Sequence, residues 1–290
     1  MHIFRFLFIA IATLAAFGGA SKPAAAAESY DSCVGFIDAL PAVITTQGIW
    51  CLRQNLDTSA SSGNIIDIQT NNVTIDCNGF RIRGSGGGAS TAAEGIHATG
   101  RLNLAIRHCT IRGFARGIHL EAGSGYLVEN NLVDQSRYVG IEISGAGSVV
   151  RRNTVVNSGG LPLSAEAFAI AAEGDVIDNV VVGVFGDDSV TNFTANGIYS
   201  QSDPAVTFGI VIQGNRIRNL TPKGTGQAIG ITSSGSGVAV RDNAIGQASS
   251  TTGRGVACLD NTSHVRDNVI LNYMTGISVA CHDAGDNSVD

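Results

Sequence analysis

Val128-Glu129-Asn130-Asn131-Leu132-Val133 is one copy of a pattern, Val/Ile-x-x-Asn-x-Val/Ile. It returns at Val150–Val155, Val176–Val181, Ile212–Ile217, Val240–Ile245 and Val265–Ile270. A second marker, Gly before Ile or Val, interleaves with it at Gly95, Gly117, Gly140, Gly197, Gly230, Gly255 and Gly276. Such periodic self-similarity is the signature of a solenoid, in which each repeat buries its apolar face against the next. Aligned on Asn, the repeats run through Asn78, Cys109, Asn131, Asn153, Asn179, Asn215, Asn243 and Asn268, with a shortest spacing of 22 residues. That length suits three short strands and tight bends. Apolar residues alternate by two (Val73 and Ile75, Leu104 and Ile106, Tyr126 and Val128, Val238 and Val240), the strand period rather than the helical one. An all-β solenoid of about eight parallel coils follows.

The Asn at each repeat is expected at a sharp bend, because Asn tolerates the left-handed conformation. Stacked Asn side chains would also hydrogen-bond from coil to coil. The Gly before each Ile is expected to mark a second bend. Only the two ends of such a stack need covering. Cys33–Thr46 is expected to be an N-terminal cap, a short helix interrupted at Pro41, and Asp286–Asp290 a rung cut short.

The first residues carry a different message. Phe6–Phe17 is an apolar run behind a weakly basic start, and Ala24–Ala27 offers a small-residue cleavage site. Residues 1–27 are therefore expected to be a signal peptide, 28–64 the cap and entry to the first coil, and 65–290 the solenoid. No run is long enough for a transmembrane helix. Localisation is expected to be secreted or periplasmic. Losing Arg5 and Lys22 with the signal takes the formal charge from −6 to −8 and leaves Lys223 as the single lysine. Such a chain has few cations to displace phosphate counterions, which argues against nucleic acid as a partner. The six cysteines all follow the signal, and an even count in an exported chain points to disulfides. Cys258 and Cys281 fall on neighbouring coils, as do Cys77 and Cys109; Cys33 and Cys51 remain to staple the N-terminal segment.

The repeat, together with Asn72-Val73-Thr74-Ile75-Asp76-Cys77-Asn78-Gly79 and the following Leu104–Leu120, resembles the right-handed parallel β-helix proteins of the pectin-lyase-like superfamily, in their exported bacterial form. The resemblance implies a single-stranded right-handed β-helix, with polysaccharide lying along one sheet between long loops. The superfamily includes lyases, hydrolases, epimerases, adhesins and silent coils, so activity does not travel with the fold.

In this chain the residue after each Gly-Ile should point outward. Coil by coil that gives His97, His119, Glu142, Ala171, Tyr199, Thr232, Ala257 and Ser278. With coils about 4.8 Å apart, His97, His119 and Glu142 would stand in one line. They can be read as acid–base groups, with Tyr199 as a proton donor, as metal ligands, or as plain polar surface. A straight line along a sheet does not make a tetrahedron, so no metal is expected. Arg116 and Arg137 are candidates to neutralise uronic-acid carboxylates, and Asp187-Asp188 are paired acids in a long loop. Gly186-Asp187-Asp188 and Arg216-Ile217-Arg218 resemble pieces of the polygalacturonase-like motif set, but its other members are missing, and the calcium-binding acids of pectate lyases are not assembled either. Alternating Asp76, Arg107, Glu129 and Arg151 read as a structural charge ladder worth roughly 0.2–1 kcal/mol per pair.

Taken together, the residues favour a non-catalytic exported protein that binds glycan or serves as a cell-surface structure. The alternative is a lyase or glycoside hydrolase acting on a uronic-acid polysaccharide. No cofactor is expected, save calcium in the lyase case.

Overall fold

Three stacks of inward-pointing aliphatic side chains run the length of the chain. One holds Ile66, Ile96, Ile118, Ile141, Ile170, Ile198, Ile231 and Val256; a second Ile75, Ile106, Val128, Val150, Val176, Ile212, Val240 and Val265; a third Ile82, Ile111, Val133, Val155, Val181, Ile217, Ile245 and Ile270. All are buried. At roughly 1.5–3 kcal/mol for each fully buried aliphatic side chain, this continuous core is what the repeat encodes. The computed structural model describes residues 30–202 and 209–290 and winds them into a parallel β-solenoid of about nine turns. Residues 31–290 form one compact unit. The expected signal segment lies outside the described residues.

Every pairing between named strands is parallel, and successive coils keep register. His97 pairs with His119, His119 with Glu142, Glu142 with Ala171, Ala171 with Tyr199, Tyr199 with Thr232, and Thr232 with Ala257. Among the described residues no helix is long and apolar enough to cross a membrane.

The helix expected within Cys33–Thr46 is absent. Cys33–Phe36 is a strand paired with Gly48–Cys51, and Ala42–Ile44 is a strand paired with Ile66–Ile68. The physical reason is close packing. Gly35 lies where a Cβ would come 2.6 Å from the Trp50 ring, so this stretch sits as an extended rung on the strand behind it. Strand pairing thus begins at Cys33, ahead of residue 65.

The bend and the Asn ladder also divide differently from expectation. The left-handed residue is the one before the ladder Asn: Asn130, Arg152, Asp178, Asp242 and Asp267, with φ between 53° and 58°. The ladder Asn itself turns its side chain inward. Asn131 donates Nδ2–H to Asn153 Oδ1 (3.0 Å) and to Ile106 O (2.9 Å), and Asn153, Asn179, Asn215, Asn243 and Asn268 repeat the scheme. Asn287 continues the ladder beyond the expected members. Asn78 is not a rung; it adopts φ 49° itself and donates to Leu52 O. Two extra residues in that bend put the Cys77–Cys109 disulfide at the head of the ladder, where Cys109 N–H donates to Asn131 Oδ1. The other disulfides are Cys33–Cys51 and Cys258–Cys281.

The Gly of Gly-Ile does not turn the chain. Gly95, Gly117, Gly140, Gly197 and Gly230 are not in the left-handed region; a Cβ on each would come within 2.5–2.6 Å of a carbonyl oxygen on the next coil. The residue permits close stacking of coils.

Candidate functional site

The outward face of the sheet containing Ala92–Thr99, Arg116–Ser124 and Val139–Arg151 carries three parallel rows. The middle row is Asp67, His97, His119 and Glu142. One flanking row is Asn64, Glu94 and Arg116; the other includes Thr99 and Glu121. Because the two flanking rows supply acids on either side, the histidines stand inside a cluster, not in an isolated line.

Both imidazoles and the acids around them are joined by short polar contacts. His97 Nδ1 lies 2.8 Å from Asp67 Oδ1 and 2.8 Å from Asn64 Nδ2, and its Nε2 lies 3.2 Å from Thr99 Oγ1. Thr99 Oγ1 donates to Glu121 Oε1 at 2.9 Å. His119 Nδ1 lies 2.8 Å from Glu94 Oε2, while its Nε2 is 3.5 Å from Glu121 Oε2. Arg116 donates through Nη1 to Glu94 Oε1 (3.1 Å) and through Nε to Glu142 Oε2. The two imidazoles meet edge to face, with centroids 5.5 Å apart. Their side chains retain only 14% and 12% of their exposure, so the two imidazoles are largely withdrawn from water, while the Glu121 side chain beside them keeps 43%.

The electrostatics follow from these contacts. Burial works against the charged form of Glu94, but the hydrogen bond from His119 and the charges of His119, Arg116 and His97 outweigh it and hold its pKa below the usual value. Burial likewise opposes charge on His119, but its bond to Glu94 and the Glu94 and Glu142 charges raise its pKa above the ordinary imidazole value. Asp67 is also lowered: burial is again overcome by hydrogen bonds from His97, Gln69 and Asn64. A proton donor and a carboxylate therefore sit 2.8 Å apart, a pairing that suits acid–base work or ligand binding.

Beyond Glu142 the face changes character. Ala171 intervenes, and Tyr199 lies one coil further on, its hydroxyl donating to Gln201 Oε1. Tyr199 is thus two coils from Glu142 and is not joined to the histidines. It belongs instead to an aromatic run: Tyr138 meets Phe168 edge to face at 6.3 Å between centroids, and Phe168 meets Tyr199 at 6.2 Å. The Arg116 guanidinium lies 5.3 Å over the Tyr138 ring and joins the run to the cluster. All three rings are half-buried.

The two candidate carboxylate-binding arginines differ in their surroundings. Arg116 is occupied by Glu94 and Glu142. The Arg137 Nε atom is buried without a hydrogen-bond partner. Asp187 and Asp188 lie in the loop after Val180–Phe185, where Lys223 Nζ donates to Asp187 O and to Asp188 Oδ1. Asp187 Oδ1 accepts from Ser189 N; these contacts hold the pair in its own loop.

Reading only the residue after Gly-Ile missed Asp67, Glu94, Glu121, Tyr138 and Phe168. Glu94 and Arg116 were visible as the residues just before Gly95 and Gly117, where the strand alternation again points outward. Asp67 was hidden because its coil has Ile65 in place of the marker Gly.

Comparison with known proteins adds the family and no activity. A search of curated proteins finds no match. A family model described as a right-handed β-helix region matches residues 94–270, well over half of the chain, and accords with the parallel coils and with the pectin-lyase-like superfamily. The chain belongs to the right-handed β-helix family.

Proposed function

We propose that this is an exported β-helix protein, secreted or periplasmic, that binds glycan along the outward face of the sheet bearing His97, His119 and Glu142. The observation that carries the reading is the aromatic run Tyr138–Phe168–Tyr199 on adjacent coils, continuous with a cluster of hydrogen-bonding carboxylates and imidazoles. Half-buried rings present apolar faces to pyranose rings, and carboxylates accept hydrogen bonds from sugar hydroxyls. The three disulfides are the chemistry of an oxidising compartment and support export.

The charge of the face selects among glycans. Asp67, Glu94, Glu121 and Glu142 outnumber Arg116, whose guanidinium is already held. A neutral or amino-bearing glycan fits this face better than a polyuronate. Affinity electrophoresis in gels containing neutral β-glucan, xylan, glycol chitin or pectate tests the reading. Retardation by a neutral or amino glycan, lost in Phe168→Ala and Tyr199→Ala, is the expected result. Migration unaffected by every polymer would sink it.

A second reading is a lyase or hydrolase, favoured by one observation: the partly buried pair of Glu94, with lowered pKa, and His119, with raised pKa. In that reading the pair moves the proton, His97 and Glu142 flank the sugar, and calcium is the cation a lyase would use. New reducing ends or unsaturated products from any glycan, abolished by His119→Ala in a folded protein, would support it. Absence of products with and without calcium would count against it.

A further inference from the structure

We infer that Glu94, His97 and His119 form a binding site for one divalent transition-metal ion of the zinc type. The ligand atoms of these three residues all lie within 4.8 Å of one another. Glu94 Oε2 stands at the corner of the triangle, 2.8 Å from His119 Nδ1 and 4.0 Å from His97 Nε2. Two imidazole nitrogens and one carboxylate oxygen are a common three-ligand set for such an ion, with a fourth position left for solvent or ligand. The objection that residues stacked on a sheet form a line does not apply, because Glu94 comes from the neighbouring row.

The outer contacts make this more than three nearby donors. Each ligand's remaining polar atom has a charged neighbour. Asp67 Oδ1 engages His97 Nδ1 at 2.8 Å, and Nε2, which has Thr99 Oγ1 at 3.2 Å, is the nitrogen that would turn to the ion. Arg116 engages Glu94 Oε1 at 3.1 Å and leaves Oε2. Glu121 Oε2 lies 3.5 Å from His119 Nε2 and leaves Nδ1. A carboxylate behind a ligating imidazole fixes its orientation and raises its basicity, and an arginine behind a ligating carboxylate selects which oxygen is free. Donors about 2.0 Å from a tetrahedral ion stand about 3.3 Å apart. The 2.8 Å separation has to open by about 0.5 Å and the 4.0 Å separation to close by about 0.7 Å, and the two ring nitrogens, within 4.8 Å of one another, have to settle at the same spacing. The ion takes the place of the proton between Glu94 and His119; that proton leaves to solvent, and bonds form from Oε2, Nδ1 and Nε2.

The inference does not depend on the glycan reading, and its test uses no glycan. Untagged protein stripped with chelator is titrated with cobalt(II) and then zinc. One equivalent is expected, with visible cobalt bands of a four-coordinate site that zinc abolishes. In the zinc-loaded wild-type protein, the ring nitrogens that shift on coordination should be His97 Nε2 and His119 Nδ1. Glu94→Gln should weaken zinc binding at least tenfold, and Asp67→Asn, which leaves every ligand intact, by about 10–100-fold. His264→Ala with His282→Ala should leave affinity unchanged. The inference is overturned by absence of saturable binding in the wild type, by shifts confined to His108, His264 or His282, or by unaltered affinity in folded Glu94→Gln. The nitrogen shifts need no variant and decide the matter even if Glu94→Gln fails to fold.

Discussion

The same sheet has two halves that share a backbone and differ in chemistry. In the coils through Ala92–Thr99, Arg116–Ser124 and Val139–Arg151 the outward middle row holds His97, His119 and Glu142; in the later coils the same row holds Ala171, Tyr199, Thr232 and Ala257. Inward, both halves present equivalent buried Ile and Val, and both carry the Asn ladder. The later coils show that the fold needs no charge on this row. The early cluster therefore answers to something other than folding, since partly burying so many titratable groups brings desolvation costs that alanine avoids.

The comparison can be broken hardest through what the halves share. Asn179→Leu removes an amide with three hydrogen-bonding partners for Nδ2 and orphans Asn153 N–H and Nδ2–H, so a loss of about 3–5 kcal/mol is expected in denaturant unfolding. Ile141→Ala and Ile231→Ala, one in each half, should each cost about 2–4 kcal/mol, and a large disparity between them would show that the halves are not equivalent. Gly117→Ala should cost about 1–3 kcal/mol because its Cβ would meet Gly140 O at 2.6 Å, whereas position 169, already Ala, should accept Gly at a cost near 0.5–1 kcal/mol.

The pH dependence sharpens the structural side. Asp76 is buried, which alone would raise its pKa, but hydrogen bonds from Asn78 N–H, Arg107 and His108 bring it below the ordinary aspartate value. A carboxyl whose folded pKa is depressed contributes stability that is fully present above the unfolded pKa and is lost as pH falls through the folded one. Melting temperature should therefore drop on acidification below about pH 4, and less steeply in Asp76→Asn than in wild type. The smallest effect separates the halves: Glu142→Ala, which gives this coil the residue of the next, should change stability by less than about 1 kcal/mol. A much larger loss would make the charged cluster structural and erase the contrast.

Much of the architecture was legible in sequence because periodic burial is a strictly local pattern. The coil register was readable from Gly-Ile, and the disulfide pairs from which coils are neighbours. What stayed hidden was anything decided by contact between coils. Gly117 looks like a bend residue until the carbonyl of the next coil is placed against it. Asn78 looks like a rung until the longer bend around Cys77 displaces it. The polar cluster was half visible: one row came from alternation, while Glu94, Glu121 and Asp67 required the neighbouring rows and a coil lacking its marker.

The Asn ladder has a direction. From Asn131 onward each side-chain amide turns its oxygen toward the coil before and one N–H toward the coil after. Their dipoles therefore add along the axis of the solenoid, and hydrogen bonds in such chains polarise one another. At Asn287, the last rung among the described residues, Nδ2 donates to the Asp283 carboxylate at 2.7 Å. An anion thus stands on the positive side of this run of amides, much as an acidic side chain stands at the start of an α-helix.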